Sequence, residues 1–348
     1  MDATLSLLSA PRTIVLRIPS ADPASACRIA SRALDEDGIG AIEAGAAAQQ
    51  RSACAKAALA RLDPAGAAGS SEDSDLDLDE DDGSHPCTAI RVQTLPVAAS
   101  IGGKIWDASL LMAAWLTEEA SRRQLAPLLA APAGRPPRVL ELGSGLGVVG
   151  LAFALAYPSA RVVLSDYDPA VLANLRASLE LNATGLASRP QGGGSEPAEP
   201  SAPRIEVEMV DFRHFAAGGD ASLSAEARAA RYAGLLGGVD LIVGADIVYE
   251  QSHAALGRVC DALLSPSPTD AAADWRPCAI FVLPDSRPRL GEFVASLRET
   301  GLECRVERVL PSPEMVRRLR RAHEGWAQGG ASFSLYYVAR PVALAVAP

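Results

Sequence analysis

No stretch of this sequence approaches the ~20 consecutive apolar residues that a membrane-spanning helix needs. The N-terminal region also lacks a basic start leading into an apolar core and a small-residue cleavage site, so a secretory signal is not expected. Arg12, Arg17, Arg28 and Arg32 lie in a Ser- and Ala-containing region that would suit an organelle transit peptide, but Asp22, Asp35, Glu36 and Asp37 count against one. The expected setting is cytoplasmic or nuclear. Cysteine is sparse and scattered: Cys27, Cys54, Cys87, Cys260, Cys278 and Cys304 form no C-x-x-C pair and have no histidine at ligand spacing, which argues against a zinc site and a disulfide framework. His85, His214, His253 and His323 show no ligand spacing either, so no metal is expected. A basic surface is missing too. The formal charge is −10, yet Glu72, Asp73, Asp75, Asp77, Asp79, Glu80, Asp81 and Asp82 account for eight of those charges and leave the rest at −2. A nearly neutral remainder gives no nucleic-acid-binding face.

What is present is enough apolar material for a real core. With 348 residues, 49% of them hydrophobic, the chain can form one large domain or two small ones, and a monomer is the default expectation. Residues 1–62 read as an N-terminal extension with one strand-like run, Thr13 to Ile18, and helical character around Ala53 to Leu62. Residues 63–86 combine Gly, Ser and the acidic run; they repel one another and have little to bury, so they read as a solvated linker. From residue 87 to about 343 strands and helices alternate, the pattern of a mostly parallel sheet with helices on both faces. Strands are expected at Ala89–Pro96, Arg138–Leu142, Val162–Ser165, Ile205–Val210, Asp240–Gly244, Ala279–Leu283, Glu303–Val309 and Ser332–Val338. Helices are expected at Ile105–Leu116, Val148–Tyr157, Pro169–Asn182, Ser252–Leu264, Leu290–Thr300 and Pro313–His323. Apart from Pro313–His323, the final two strands have no helical crossover of the right character to feed a parallel partner, so an antiparallel edge is expected. Gly185–Pro203 and Ala216–Gly238 are rich in Gly, Ala, Ser and Pro and read as surface insertions.

Within that domain VLELGSGLGVVG, Val139 to Gly150, runs from an apolar strand through an acidic residue and alternating glycines into an apolar helix. Glycines allow the tight turn and the close approach of a ligand, and the first N–H groups of the helix remain unsatisfied. Gly145, Gly147 and Gly150 satisfy the dinucleotide pattern G-x-G-x-x-G, and Gly145 and Gly147 are expected to contact the cofactor. Glu141, ahead of Gly143, fits better with S-adenosylmethionine (AdoMet), whose cationic methionine end and ribose suit a carboxylate. At the next strand's exit, Asp166 stands 19 positions after Gly147, where a carboxylate reaches ribose hydroxyls in either cofactor class. The neighbouring Asp168 is better placed to cap the helix that begins at Pro169. At the third exit, Asp211 and Phe212 stand where an adenine would lie, although an Asp that ends a strand also serves as a turn residue and Phe212 as core. The fourth exit, DLIVGADIVYE, places Asp246 and Tyr249 just beyond a buried run.

Four segments in order, GGKIWDASLLMAAWL, VLELGSGLGVVGLAFA, VVLSDYDPAVLANLRASLELN and GADIVYE, resemble the methyltransferase-16 family of seven-β-strand protein-lysine methyltransferases. The resemblance covers about residues 88–340. It implies a Rossmann-like class I sheet, seven-stranded and mostly parallel with an antiparallel C-terminal strand. It implies that Trp106, Gly143, Ser144, Gly145, Asp166 and Ala245 contact AdoMet and that Asp246 with Tyr249 forms a D-x-x-Y catalytic motif. The family often has tryptophan at the adenine position, where Phe212 keeps a stacking face without the indole N–H. Methyl transfer to the ε-amine of a lysine in a protein partner is the activity it implies. The same fold also hosts transfer to a histidine, an N-terminal amine or a small molecule, and non-catalytic interaction proteins. Arg317, Arg318, Arg320 and Arg321 crowd one expected helix, as a contact for an acidic region of a protein substrate or as a solvated face.

Overall fold

The computed structural model describes residues 12–19, 28–32, 87–95, 100–129, 135–187, 204–218, 221–249, 253–265, 276–322 and 331–341. The helical reading around Ala53–Leu62, the acidic stretch 63–86 and most of the insertion Gly185–Pro203 lie outside the described residues.

The strands are β1 (Arg12–Pro19), β2 (Arg28–Arg32), β3 (Cys87–Thr94), β4 (Arg138–Glu141), β5 (Arg161–Asp166), β6 (Ile205–Met209), β7 (Leu241–Ala245), β8 (Cys278–Pro284), β9 (Glu303–Leu310) and β10 (Phe333–Ala339). The helices are α1 (Asp107–Thr117), α2 (Glu119–Leu125), α3 (Val148–Ala156), α4 (Pro169–Ala187), α5 (Ala225–Arg231), α6 (His253–Leu263), α7 (Leu290–Glu299) and α8 (Pro313–Ala322). Eight strands form the main sheet in the order β2-β9-β10-β8-β7-β4-β5-β6. Strands β4 to β8 pair in parallel, and β10 runs antiparallel between β8 and β9. Seven of these strands make the class I methyltransferase sheet that the sequence suggests. The eighth, β2, adds antiparallel to β9 at residues 28–32, where the sequence reading expects no strand.

The central strands are buried on both faces, and their side chains divide by alternation. Val139, Val162, Leu164, Leu241, Val243, Ile280 and Val282 join a core with α1, α3 and α4. Leu140, Val163, Ile242, Ala279, Phe281 and Leu283 point the other way, into a core with α6 and α7. Trp115 of α1 is 1% exposed in the first of these cores.

The run predicted at Thr13–Ile18 is β1, which pairs antiparallel with β3 from Arg12↔Thr94 to Pro19↔Cys87. This ribbon's outer edge is held by one face of α4. Asn182 exchanges two hydrogen bonds with the Arg91 backbone (2.9 and 2.6 Å), while Asn174 donates to the Gln93 carbonyl (2.6 Å) and the Ser178 hydroxyl accepts from Gln93 N–H (3.3 Å). Residues four apart share a helical face, so the three side chains replace a neighbouring strand along an otherwise open edge.

The expectation for Ala216–Gly238 needs correction. Among the described residues most of this segment is on the surface, α5 included, but Tyr232 and Leu235, 3% and 4% exposed, enter the second core and anchor it. Its Gly- and Ala-rich composition concealed two anchoring apolar side chains spaced within one turn.

The floor of the sheet carries a charged anchor. Asp240, fully buried, accepts from Arg135 Nη1 and Nη2 (2.6 and 2.7 Å) and from the Arg138 backbone N–H (2.6 Å). Removing one partner from such a pair leaves a buried charge uncompensated. Arg135→Ala is therefore expected to lower unfolding free energy by about 3 kcal/mol in urea denaturation. Glu292→Ala, which breaks the half-exposed Arg289–Glu292 pair, is expected to change it by less than about 0.5 kcal/mol.

Candidate active site

Parallel strands β4, β5 and β7 end at the same edge, and the loops that follow them, with the 3₁₀ turn Phe212–Phe215, surround a cavity of about 590 Å³. Trp106, Glu141, Gly143, Ser144, Gly145, Asp166, Asp211, Phe212, Ala245, Asp246 and Tyr249 all line it. The topology thus gathers residues spread over 144 positions of sequence into one cleft, at the strand ends where open α/β sheets bind ligands.

The glycine turn is shaped by sterics. Gly143, Gly145 and Gly147 have φ of 60°, 51° and 78°, in the left-handed region where a Cβ is penalised. A Cβ on Gly143 would stand 2.9 Å from Ile247 Cγ2, and one on Gly145 would stand 3.0 Å from the Gly102 carbonyl oxygen. Gly147 departs from the expectation of cofactor contact: it is not among the cavity-lining residues. It begins α3, and a Cβ there would meet Leu175 Cδ2 at 2.8 Å, so its requirement is helix packing. Gly150 also answers to packing, since a Cβ would meet Leu164 Cδ2 at 2.2 Å.

The turn is stitched to β5 by two serines. Ser144 N–H donates to the Ser165 carbonyl (2.7 Å), Ser165 N–H donates to Ser144 Oγ (2.8 Å), and Ser165 Oγ donates to the Glu141 carbonyl (2.6 Å). Glu141 Oε2 accepts from Gly150 N–H (2.9 Å) at the start of α3. Burial pushes the Glu141 carboxyl up to about 8, although the Gly150 N–H and Ser144 favour its charged form. Asp166 is raised by burial too, opposed by the three backbone N–H groups that orient it, those of Gly145 (3.2 Å), Tyr167 (2.8 Å) and Asp168 (3.1 Å). Asp168 caps α4 by accepting from Ala170 N–H (2.8 Å).

Asp211 stands on the cavity and also serves as a turn residue. It starts the 3₁₀ turn, accepting from Arg213 N–H (2.9 Å) and pairing with the Arg213 guanidinium (2.7 Å). Burial raises its carboxyl, but Arg213 outweighs that and holds it below the usual range. Phe212 is half-buried against the second core with part of its surface on the cavity.

At the opposite end, Asp246 is 8% exposed and sits in left-handed backbone (φ 55°) directly after β7. Burial raises its carboxyl, opposed first by Arg287 and then by Lys104. Arg287 donates to both oxygens, Nε to Oδ1 at 2.6 Å and Nη2 to Oδ2 at 2.5 Å. Lys104 Nζ lies 3.7 Å and the Arg287 guanidinium carbon 5.4 Å from the centre of the Trp106 ring. The sequence reading missed Arg287, Lys104, Tyr167 and Arg213, all on the cavity wall. Arg287 had no local signal, since it belongs to a Pro-flanked turn after β8, 41 residues from its partner.

The chain's motifs have a counterpart in known proteins. Residues 88–191 match the methyltransferase-16 family model, described as lysine methyltransferase. The resemblance drawn from the first three motifs holds over that span. GADIVYE lies beyond it. The chain is 26% identical over 169 residues to calmodulin-lysine N-methyltransferase of Arabidopsis thaliana, covering 48% of this chain and 44% of that protein. It is 50% identical over 44 residues to an uncharacterized protein of Dictyostelium discoideum, covering 13% of this chain and 12% of the other. The chain therefore spans less than half the length of both curated relatives. A solved Galdieria sulphuraria protein, described as a sarcosine dimethylglycine methyltransferase, aligns with TM-score 0.40 and 15% identity over 67% of this chain and 87% of its own.

Of the two cofactors the glycine pattern admits, the methyltransferase family model matched by residues 88–191 indicates AdoMet, and the cleft's chemistry agrees. A pyrophosphate would face the buried carboxyls Glu141 and Asp166 at the glycine turn, whereas a cationic methionine end and a ribose suit them. Glu141, Ser144, Gly145 and Asp166 would hold the methionine and ribose parts. Phe212 and Asp211 would face the base, and Trp106 and Ala245 the reactive end.

Proposed function

We propose that this protein is an AdoMet-dependent protein-lysine N-methyltransferase. The observation that carries the reading is the convergence of Asp246 and Tyr249 with Trp106 and the glycine turn on one cavity, in a chain whose residues 88–191 match the lysine methyltransferase family. AdoMet, when bound, supplies an electrophilic methyl group.

The residues of the chain prepare the acceptor. A lysine ε-amine has an ordinary pKa of about 10.4 and is nucleophilic only after losing its proton. Asp246 has two oxygens with about four acceptor positions between them, and Arg287 uses two. The remaining positions can take an amine N–H and fix the direction of the nitrogen lone pair. Tyr249 walls the same end of the cavity. Arg287 offsets the Asp246 charge, which alone would favour a protonated amine, and Lys104 beside Trp106 further disfavours the protonated form.

The reading is tested by incubating the purified protein with a cell extract and isotopically labelled AdoMet, followed by mapping of the label to residues by mass spectrometry. Labelled lysine in a protein is the expected product. Label confined to histidine, to N-terminal amines or to small molecules would reject it. Calmodulin is the first defined acceptor to assay, because the Arabidopsis relative is named for it.

A further inference from the structure

The carboxylate at the acceptor end does not stand alone. Arg287 comes from the turn after β8, where its N–H donates to the Pro284 carbonyl (3.1 Å). That turn is pinned at Asp285, whose N–H donates to the Ser332 carbonyl (2.9 Å) and whose Oδ1 accepts from Ser334 Oγ (2.7 Å). From this fixed base the guanidinium reaches across β8 to β7, lies over the Trp106 ring and places two parallel N–H groups on Asp246. Trp106 in turn donates from Nε1 to the Ile101 carbonyl (3.2 Å). Ile101, Trp106, Arg287 and Asp246 thus form one braced wall of the cavity.

We propose that Arg287 is the positioning residue of this site: its guanidinium fork locks the plane of the Asp246 carboxylate so that the oxygen positions left over face the acceptor nitrogen. The inference rests on the reading of Asp246 as the group that receives the acceptor amine. A carboxylate rotates almost freely about its last torsion, and a planar fork removes that freedom where a point charge would not. The side-chain exposures agree, with Asp246 at 5% and Arg287 at 30%, so the pair is shielded at the carboxylate and supported from the rim.

The charges around Asp246 are Arg287 and Lys104, which favour its ionised form, and Asp107, which opposes it, while Tyr249 interacts with Arg287. Without Arg287 burial acts with less opposition, and Asp246 ionises at higher pH. The acid limb of the kcat–pH profile then moves upward.

The test uses the full chain with Arg287→Gln, Arg287→Lys, Asp246→Asn and the double variant Arg287→Gln/Asp246→Asn. S-adenosylhomocysteine affinity, read by calorimetry, is expected to stay within about 3-fold of wild type in every variant, because none of them alters the glycine turn. Arg287→Gln is expected to lower kcat by at least about 30-fold with a smaller change in acceptor KM and to raise the acid limb. Arg287→Lys is expected to return the acid limb toward wild type while kcat stays about 10-fold low, since it restores the charge and not the fork. In urea unfolding without cofactor, the double variant's unfolding constant should differ from the product of the single effects by at least about 10-fold.

Wild-type kcat with an unmoved acid limb in Arg287→Gln would overturn the proposal, and so would a rise in kcat, which would make the guanidinium an obstacle to the acceptor. Should Arg287→Gln not fold, the Arg287→Lys profile decides: a lysine that restores kcat fully shows that charge alone suffices. Absence of any lysine product from the wild-type enzyme would remove the functional reading, while additive unfolding effects would remove the Arg287–Asp246 coupling itself.

Discussion

Asp246→Asn is expected to lower kcat for methyl transfer by at least about 100-fold, close to 3 kcal/mol of transition-state stabilisation, while S-adenosylhomocysteine affinity stays within about 3-fold. Asparagine is the informative substitution. Asp246 has φ of 55°, and asparagine tolerates the left-handed region where alanine is strained, so backbone and shape are kept while the charge is removed. The amide can still accept one hydrogen bond from Arg287, but one of its two positions becomes a donor that faces the guanidinium or the acceptor amine. Steady-state kinetics beside calorimetry separates the two effects, and a variant with most of its wild-type kcat would reject any role for Asp246 in transfer.

Glu141→Gln is expected to change how stability depends on pH by up to about 5 kcal/mol. Burial raises the Glu141 carboxyl from an ordinary 4.5 to about 8, so the folded state holds a proton that the unfolded state releases. Its stabilising contribution is complete below about pH 4.5 and is lost progressively as pH rises to about 8. Glutamine keeps the acceptor for Gly150 N–H and has no such titration. Urea denaturation from pH 5 to pH 9 is expected to show the variant gaining on wild type up to about pH 8 and the difference levelling off above it, and parallel curves would refute the assignment. The same ionisation links to ligand binding: a cationic cofactor placed beside Glu141 favours its charged form, so AdoMet is expected to bind more tightly as pH rises toward 8, with proton release, and Glu141→Gln to lose that dependence.

Most elements from β3 onward, and β1, were legible because local rules decide them. Parallel strands buried on both faces read as short apolar runs, as in Leu241–Ala245 and Cys278–Pro284. Helix starts were marked by a cap or a proline, as at Asp168–Pro169. Among the described elements that escaped, four have a clear physical reason. The strand Arg28–Arg32 exists through pairing with Val306–Leu310, a partner nearly 300 residues away. Helices Glu119–Leu125 and Ala225–Arg231 are only seven residues long, too short for a periodic pattern. The 3₁₀ turn Phe212–Phe215 is nucleated by one side-chain cap, Asp211 on Arg213 N–H.

In the site, Glu141, Asp166, Asp211, Phe212, Asp246 and Tyr249 at four strand exits all lie on the cavity, because ends of adjacent parallel strands must be neighbours. Gly147 does not line the cavity: a left-handed glycine looks alike in a sequence whether the Cβ would strike a ligand or, as here, Leu175.

By itself the amino-acid sequence determined the layered α/β fold, the glycine turn and the identity of the carboxylates at its rim, since alternation, turn sterics and the absence of a Cβ act within a few residues. Only the tertiary structure decided what state those groups are in. The raised proton affinity of Glu141 comes from total burial, and the Asp246 carboxylate is held by an arginine 41 positions away. Both depend on which side chains exclude water and which charges meet across strands, quantities that exist only once the sheet has closed.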